Sequence, residues 1–359
     1  MAQLGFLSQA CFNINTMTES ISGESLDSSS DRVKTPLGST ALLRSGLFGP
    51  THEPTGADLL TELVPTVEAN LNRHLAQGQM WYPHEYIPWG DGRNFAALGG
   101  EDWNPSQSKL DDTAKAAMIL NLLTEDNLPS YHREIAVQFG LDNPWGQWVG
   151  RWTAEENRHG TVMRDYLHAT RAVDPVALED VRMSHMVHGY QSDGRNSLQT
   201  LAYVSFQELA TRVSHRNTGT ATQDPIAERM MQRVSKDENL HMIFYRNLVS
   251  AALDVAPNQT MRAITDEVVN FQMPGSGMAN FGRMAAVIAK GRIYDPRSHY
   301  EEVVLPVVKF WGVMDRSDFS GDGEQARDQL AGFLAELALR ADKFDEQMAR
   351  LADRKAKNT

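Results

Sequence analysis

The feature that most constrains this chain is the placement of acidic residues and histidines on helical faces that are otherwise apolar. In the segment "WTAEENRHG", Glu156 and His159 are three residues apart and share a helical face with Trp152. In "KDENLHM", Glu238 and His241 have the same spacing on a second apolar stripe. A charge on the buried face of a helix is costly unless it is paired or binds a cation. The two Glu-x-x-His pairs therefore predict a buried polar site between two helices.

Two further predicted helices each carry one glutamate at the corresponding depth, Glu125 and Glu208. Four carboxylates in a helical core would repel one another, whereas two cations and two imidazoles would turn them into a metal site. Cys11 is the only cysteine, so the ligand atoms would be oxygen and nitrogen, which suit iron or manganese. Ferritin-like di-iron bundles use this ligand arrangement. The alternative is that Glu156 and His159 form a solvent-facing pair, but the flanking tryptophans and methionines would then be exposed too.

Helical periodicity dominates most of the chain, and the sequence contains no alternating strand pattern and no solenoid repeat. We therefore predict an all-α fold, a ferritin-like helical bundle with additional helices around a di-iron core, in one domain over residues 55–359. Residues 1–54 are rich in serine, threonine and glycine and predict a disordered or poorly ordered tail, with Met17 as an alternative start. Residues 78–110 predict an ordered, aromatic-rich loop. The predicted helices are 57–77, 111–138, 145–172, 193–217, 224–251, 258–271, 296–312 and 323–352.

Pro129 lies inside the predicted helix 111–138. Proline cannot donate a hydrogen bond to the carbonyl four residues earlier, which here belongs to Glu125. Either the helix is kinked beside Glu125, or it ends near Asn127. The sequence leaves both alternatives open.

The composition excludes several classes of function. A net charge of −12 argues against nucleic acid as the main partner, because phosphate binding requires a concentrated positive surface. No apolar run approaches the length of a membrane span, and the first residues lack the pattern of a secretion signal. The single cysteine fits a reducing compartment, so we expect a cytoplasmic protein, or a plastid protein if the chain comes from a plant.

The segments "TEDNLPSYHRE", "WTAEENRHG", "SFQELATRVSH" and "KDENLHM" resemble, in order and spacing, the motifs of the soluble acyl-[acyl-carrier-protein] desaturases, plant plastid enzymes with actinobacterial relatives. "MWYPHEYIP" and "FQMPG" resemble two further landmarks of that family, and the resemblance extends from about residue 57 to the C-terminus. It implies two iron ions held by six residues: the terminal carboxylates Glu125 and Glu208, the bridging carboxylates Glu156 and Glu238, and the imidazoles His159 and His241.

The resemblance also implies supporting residues around the metal ligands. Asp237 would bind the first histidine ligand and Trp81 would contact Asp237, in what resembles a route for electrons to the irons. Trp152 and His215 would form a second network of contacts around the bridging carboxylate of Glu156. Thr211 would place a hydroxyl beside the oxygen-binding face. Plain core packing is the alternative for the two tryptophans.

The activity implied by the resemblance is O2-dependent desaturation of a saturated acyl chain on acyl carrier protein, with reduced ferredoxin as electron donor and a cis double bond as product. Family members are generally homodimers. A bent apolar tunnel past the irons would select the double-bond position by depth. The interval between Glu125 and Glu156 is shorter than in plant members, and Asp126 replaces a second glutamate, so chain length and double-bond position stay open.

Acyl carrier protein is acidic and would need a basic rim on this acidic chain. Two clusters are candidates: Arg283, Lys290 and Arg292, or Arg229, Arg233 and Lys236. Ordinary solvated faces are the alternative for both. Two rival functions use the same ligands, namely a di-iron oxygenase that hydroxylates or N-oxygenates a carrier-bound substrate, and a ferritin-like iron-storage protein. A metal-free structural helical protein is a third.

Overall fold

The computed structural model describes residues 53–192, 194–278 and 280–357, and every regular element in these ranges is helical. The predicted all-α bundle is therefore confirmed for this part of the chain. The tail predicted over residues 1–54 lies outside the described residues except for its last two positions. The α-helices are α1 Gly56–Gln77, α2 Asp112–Asp126, α3 Leu128–Phe139, α4 Asn143–Ala169, α5 Pro175–His188, α6 Ser197–Ala221, α7 Pro225–Val255, α8 Pro257–Val269, α9 Phe281–Lys290, α10 Pro296–Ser298, α11 Leu305–Trp311 and α12 Asp322–Lys357.

The single helix predicted over 111–138 is two helices. α2 ends at Asp126 and α3 begins two residues later, so that Asn127 separates them and Pro129 lies in the first turn of α3. Proline fits there because the N–H groups of a first turn have no acceptor within their own helix. Of the two alternatives, the helix end near Asn127 is the one that occurs, and it places Glu125 in the last turn of α2.

Two helices, α5 and α9, are missing from the sequence prediction. In α5, Val176, Val181 and Val187 are 68%, 42% and 81% exposed, so its apolar residues do not form one stripe and the helical pattern is weak. α9 has only ten residues and follows a glycine-containing segment, which suggests a loop. Between α1 and α2, the predicted loop contains only short 3-10 turns.

The four helices α2, α4, α6 and α7 surround the centre of the bundle, and α1, α3 and α8 pack against them. Side-chain caps fix where three of the four begin, and at the start of α6 Asn196 accepts a hydrogen bond from Gln199 N–H. Asp111 accepts a hydrogen bond from Ala114 N–H at the start of α2, and Asp224 accepts one from Ile226 N–H at the start of α7. None of the helices in the described ranges combines the length and apolarity needed to cross a bilayer.

α6 packs tightly against α7 at Gly219, and we expect Gly219→Ala to destabilise the fold although alanine is the better helix former. The added methyl would lie 2.8 Å from Met231 Cβ and 3.2 Å from Glu228 Cα, atoms that a rotamer change does not move. Overpacking of this kind costs about 1–3 kcal/mol. The measurement is the melting temperature of the full chain.

The matched control is Gly332→Ala on the exposed side of α12, where an added Cβ would meet no atom within 4 Å. The same substitution should stabilise the protein there, by roughly 0.5–1 kcal/mol. Shifts of the same sign in the two variants would contradict close packing at Gly219.

Candidate metal centre

Six buried side chains from the four central helices converge on one site. Their ligand atoms form two overlapping groups, each within 4.8 Å: Glu125, Glu156, His159 and Glu238, and Glu156, Glu208, Glu238 and His241. Glu156 and Glu238 belong to both groups, which is the position expected of carboxylates that bridge two ions. None of the six residues is more than 6% exposed. The structure thus brings all six predicted ligands together.

The two histidines present the same ring nitrogen to the carboxylates. His159 Nδ1 lies 3.2 Å from Glu156 Oε2 and 3.3 Å from Glu238 Oε1. His241 Nδ1 lies 2.8 Å from Glu156 Oε1 and 3.6 Å from Glu238 Oε2. In each ring Nε2 faces a further acid outside the cluster. An acceptor on the outer nitrogen fixes the tautomer that leaves the inner nitrogen able to bind an ion.

Buried polar atoms without a hydrogen-bond partner indicate what the cluster can hold. Four of them belong to residues of the two groups: Glu156 Oε1, Glu208 Oε2, Glu238 Oε2 and His241 Nδ1, of which Glu156 Oε1 and His241 Nδ1 lie 2.8 Å apart without the alignment of a hydrogen bond. Buried polar atoms in proteins are nearly always satisfied, so these four require an explanation. Two cations would satisfy them, and a donor set of oxygen and nitrogen suits iron or manganese. The residues present therefore fit a two-ion centre.

Without cations the cluster must retain protons. Burial raises the pKa of Glu208 well above its usual range, and the Glu156 and Glu238 carboxylates raise it further. Burial lowers the pKa of His159, but the charges of Glu156 and Glu238 outweigh it, so that this pKa is raised. Bound cations would replace these protons, so metal binding should release them.

Trp81, Asp237 and His159 form a continuous chain of contacts, in the order that the resemblance implies. Trp81 Nε1 donates to Asp237 Oδ2 at 2.7 Å, and His159 Nε2 lies 3.5 Å from the same oxygen. The indole also stacks on the imidazole, with the ring centroids 6.4 Å apart. This chain connects one histidine of the cluster to the segment that precedes α2.

Trp152 and His215 also touch the cluster, but at other carboxylates than expected. Trp152 Nε1 donates to Glu208 Oε1 at 3.1 Å. His215 Nε2 lies 2.9 Å from Glu125 Oε1. Neither residue contacts Glu156 through these atoms, and His215 Nε2 also lies 3.2 Å from Oε1 of Glu238, the other carboxylate predicted to bridge. A helical stripe fixes the depth of a side chain, but not which neighbour the packed helices bring opposite it.

Glu155 and His74 are candidate functional residues that the sequence analysis misses. Glu155 Oε2 lies 3.0 Å from His241 Nε2 and 2.8 Å from His74 Nε2. Glu155 therefore contacts the outer ring nitrogen of His241, just as Asp237 contacts the outer ring nitrogen of His159. The signal was present in the sequence, because an acid precedes each Glu-x-x-His, in "EENRH" and in "DENLH".

A mainly apolar cleft, partly open to solvent, lies beside the cluster, and Glu125 and Glu156 form part of its wall. A second cavity shares Thr124 and Pro274 with the first. Thr211 lines the second cavity, and its hydroxyl donates to backbone carbonyls of its own helix. Clefts with mainly apolar walls and a few polar groups are typical sites for ligands.

The two predicted basic clusters differ in exposure. Arg233 is only 6% exposed and forms an ion pair with Asp237, so it cannot belong to a docking surface, and the prediction is wrong for this residue. Arg229 and Lys236 are exposed. Without Arg233 the cluster on α7 is reduced to two charges.

The cluster at α9 keeps more of its charge on the surface. Arg283 and Lys290 are exposed, and neither forms an ion pair with another residue in the described ranges. Arg292 is also exposed but pairs with Asp295 and Asp345. The opposite face of α9 lines the second cavity. The basic surface and the cavity therefore lie on two sides of one helix.

Comparisons with known proteins agree with this geometry. The sequence profile of the family described as "Fatty acid desaturase" matches residues 55–359. A Mycobacterium tuberculosis H37Rv protein named as acyl-[acyl-carrier-protein] desaturase DesA1 is 54% identical over an alignment of 312 residues that covers 84% of this chain and 92% of that protein. The chloroplastic stearoyl-[acyl-carrier-protein] 9-desaturase 6 of Arabidopsis thaliana is 26% identical over 294 residues, covering 76% and 74% of the two chains.

A solved structure shows the same likeness in three dimensions. The X-ray structure named as acyl-ACP desaturase DesA2 from Mycobacterium tuberculosis H37Rv superposes with a TM-score of 0.62 at 33% identity, over 75% of this chain and 98% of that chain. The family profile spans every helix described above. The chain therefore belongs to the fatty acid desaturase family.

Proposed function

We propose that this chain is an acyl-[acyl-carrier-protein] desaturase that uses O2 and two electrons from reduced ferredoxin to form a cis double bond in a saturated acyl chain. Two irons would be bound at the six-residue cluster, with Glu156 and Glu238 as bridging ligands. The names of the relatives support a carrier-bound acyl substrate. A homodimer and a cytoplasmic location stay predictions, and sedimentation of the purified protein measures the first.

The observation that carries the proposal is the contact between a two-ion ligand set and a mainly apolar cavity, since Glu125 and Glu156 belong to both. Burial of a methylene group contributes about 0.8 kcal/mol, so an acyl chain would gain binding free energy from contact with this apolar wall. No side chain can break an unactivated C–H bond. The bound irons would supply the oxidising power, while the protein supplies binding and orientation.

The proposed reaction balances in atoms and electrons. Two hydrogens leave neighbouring methylenes and a carbon–carbon double bond forms. O2 accepts the two electrons and two protons released, with two further electrons from ferredoxin and two protons from solvent, to give two molecules of water. The apolar wall of the cavity positions the chain and excludes bulk water. Thr211 lines the adjoining cavity, where its hydroxyl can pass on a proton.

The contact chain Trp81–Asp237–His159 is our candidate for the electron route. His159 is fully buried, so an external protein cannot reach it directly. Trp81 contacts both Asp237 and the imidazole, and it lies in the turn-rich segment between α1 and α2. Electrons that arrive at this segment would have a short path through packed rings to the centre.

For the acyl carrier protein we propose docking on α9. An acidic partner fits the exposed charges of Arg283 and Lys290, and the inner face of the same helix lines the second cavity. A carrier bound there would present its acyl chain beside the helix that lines the second cavity.

Reversal of both charges, Arg283→Glu with Lys290→Glu, is expected to raise KM for the acyl carrier substrate about tenfold and to leave kcat nearly unchanged. The reason is that steering and docking are lost while the metal centre is untouched. Steady-state kinetics at low and at high salt measure the effect, which should shrink as salt screens the charges. The control is Lys309→Glu on α11, also exposed. An equal rise in KM for the control would contradict docking on α9.

The proposed function is tested by turnover of the iron-loaded full chain with reduced ferredoxin, O2 and stearoyl or palmitoyl carrier protein, read by mass spectrometry. A product lighter by two hydrogens is the expected result. A product heavier by one oxygen atom would contradict the proposal and would indicate a di-iron oxygenase instead. An iron content far above two ions per chain, without any product, would also contradict the proposal and would indicate an iron-storage protein.

A further inference from the structure

Arg158 lies between the two acids that face the histidine rings. Its Nη2 atom lies 3.6 Å from Glu155 Oε1 and 3.5 Å from Asp237 Oδ2. Nη1 of the same guanidinium donates to the backbone carbonyl of Trp81 at 3.3 Å. The Arg158 side chain is only 18% exposed, so these contacts form at the edge of the core. One nitrogen thus contacts both acids.

Each acid also has an arginine of its own. Within the described part of the chain, Arg233 forms an ion pair with Asp237 alone, and Arg151 forms one with Glu155 alone. Arg158 is the shared member of the three. Two of the three arginines therefore pair with one acid each, and the third contacts both acids. Each acid in turn contacts one histidine of the cluster.

The charges of the centre explain why these acids need arginines. The four glutamates of the cluster balance two divalent ions, so the charges of Glu155 and Asp237 have no ion to balance them. A buried charge requires a partner, and removal of one member of a buried pair is strongly destabilising. Arginine is suited to a shared position because its guanidinium is always charged and offers several donors. Arg158 therefore supplies positive charge to both of these acids.

We propose that Arg158 is a positioning residue that holds Glu155 and Asp237 in place together, and thereby orients both histidine ligands of the centre. The inference rests on the metal centre of the proposed function. An acid on the outer nitrogen of a histidine ligand typically changes metal affinity by about 10–100-fold. Because Arg158 contacts both acids, its loss should weaken both metal sites, whereas loss of Arg151 or Arg233 should weaken one.

The experiment compares Arg158→Met, Arg151→Met and Arg233→Met in the full chain. Crystals of metal-free protein are soaked with limiting Fe²⁺ without oxygen, and anomalous scattering gives the occupancy of each site separately. Competition with a chelator in solution gives the affinities. Arg158→Met should lower the affinity of both sites about 10–100-fold. Arg151→Met should lower only the occupancy beside His241, and Arg233→Met only that beside His159.

Losses confined to one site in Arg158→Met, or unchanged occupancies, would overturn the proposal. A lower melting temperature with both occupancies intact would show that the arginine only anchors the segment around Trp81. Arg158→Lys keeps the charge and should give an intermediate loss at both sites, and it replaces the methionine variant if that variant does not fold.

Metal occupancy is independent of turnover, so the two failures can be told apart. A wild-type chain that binds two ions but forms no double bond would refute the proposed function and leave the inference on Arg158 intact. A wild-type chain that binds no metal would overturn both.

Discussion

Glu238→Ala is expected to lose iron and desaturation activity together. Ligand atoms of Glu238 belong to both groups of the cluster, so the substitution takes one ligand from each ion. Loss of a residue that only supports a metal ligand costs about 10–100-fold, and loss of a shared ligand should exceed the upper end of that range. Iron content per chain and turnover of a stearoyl carrier substrate measure the two effects.

The control for this experiment is Glu68→Ala, because Glu68 is an exposed acid on α1 outside the cluster. It should keep both iron and activity. Far-ultraviolet circular dichroism establishes that Glu238→Ala retains its helices. A helical Glu238→Ala protein with full iron content and full activity would rule out the ligand assignment.

The metal-free protein is expected to lose stability as the pH rises from about 6 to about 9, whereas the iron-loaded protein should change far less. Burial and neighbouring carboxylates raise the pKa of Glu208 above its ordinary value of 4.5, so the penalty for ionising this residue in the fold begins above pH 4.5 and grows with pH. The pKa values of His159 and His241 are raised above 6.5 by nearby carboxylates, against the effect of burial. The stability that they contribute is complete below pH 6.5 and is lost as the pH passes their folded values. Both effects have the same sign.

Melting temperatures measured across this pH range, with iron and after chelation, test the prediction. Bound cations replace the retained protons, so iron should flatten the curve. Metal-free Glu208→Gln lacks the carboxyl with the raised pKa and should be more stable than metal-free wild type near pH 8. Parallel pH curves for loaded and metal-free wild type would contradict this view of the cluster.

The convergence of the six cluster side chains could be predicted from the sequence because much of the evidence for it is local. Residues three apart share a helical face whatever the helix packs against, so Glu156 with His159, and Glu238 with His241, follow from the backbone period. The partners of Trp152 could not be predicted in the same way. They depend on how four helices are rotated about their axes, and that rotation is set by packing over the whole bundle.

Other errors had signals that were available locally. Arg233 lies four residues before Asp237, a spacing at which opposite charges pair on a helix, so the sequence itself indicates an ion pair for this residue. Glu155 precedes a metal motif just as Asp237 does. By contrast, the exposed valines of α5 give no periodic signal, and only the packed structure identifies that helix.

The break at Asn127 makes the four glutamates unequal. Glu156, Glu208 and Glu238 lie in the middle of their helices, whereas Glu125 lies in a last turn. The carboxyl end of a helix carries partial negative charge, which disfavours a nearby carboxylate by roughly 0.3–1 kcal/mol. If the cluster binds two ions, the ion beside Glu125 would therefore lie in a different electrostatic field from the ion beside Glu208, although the side chains around the two match.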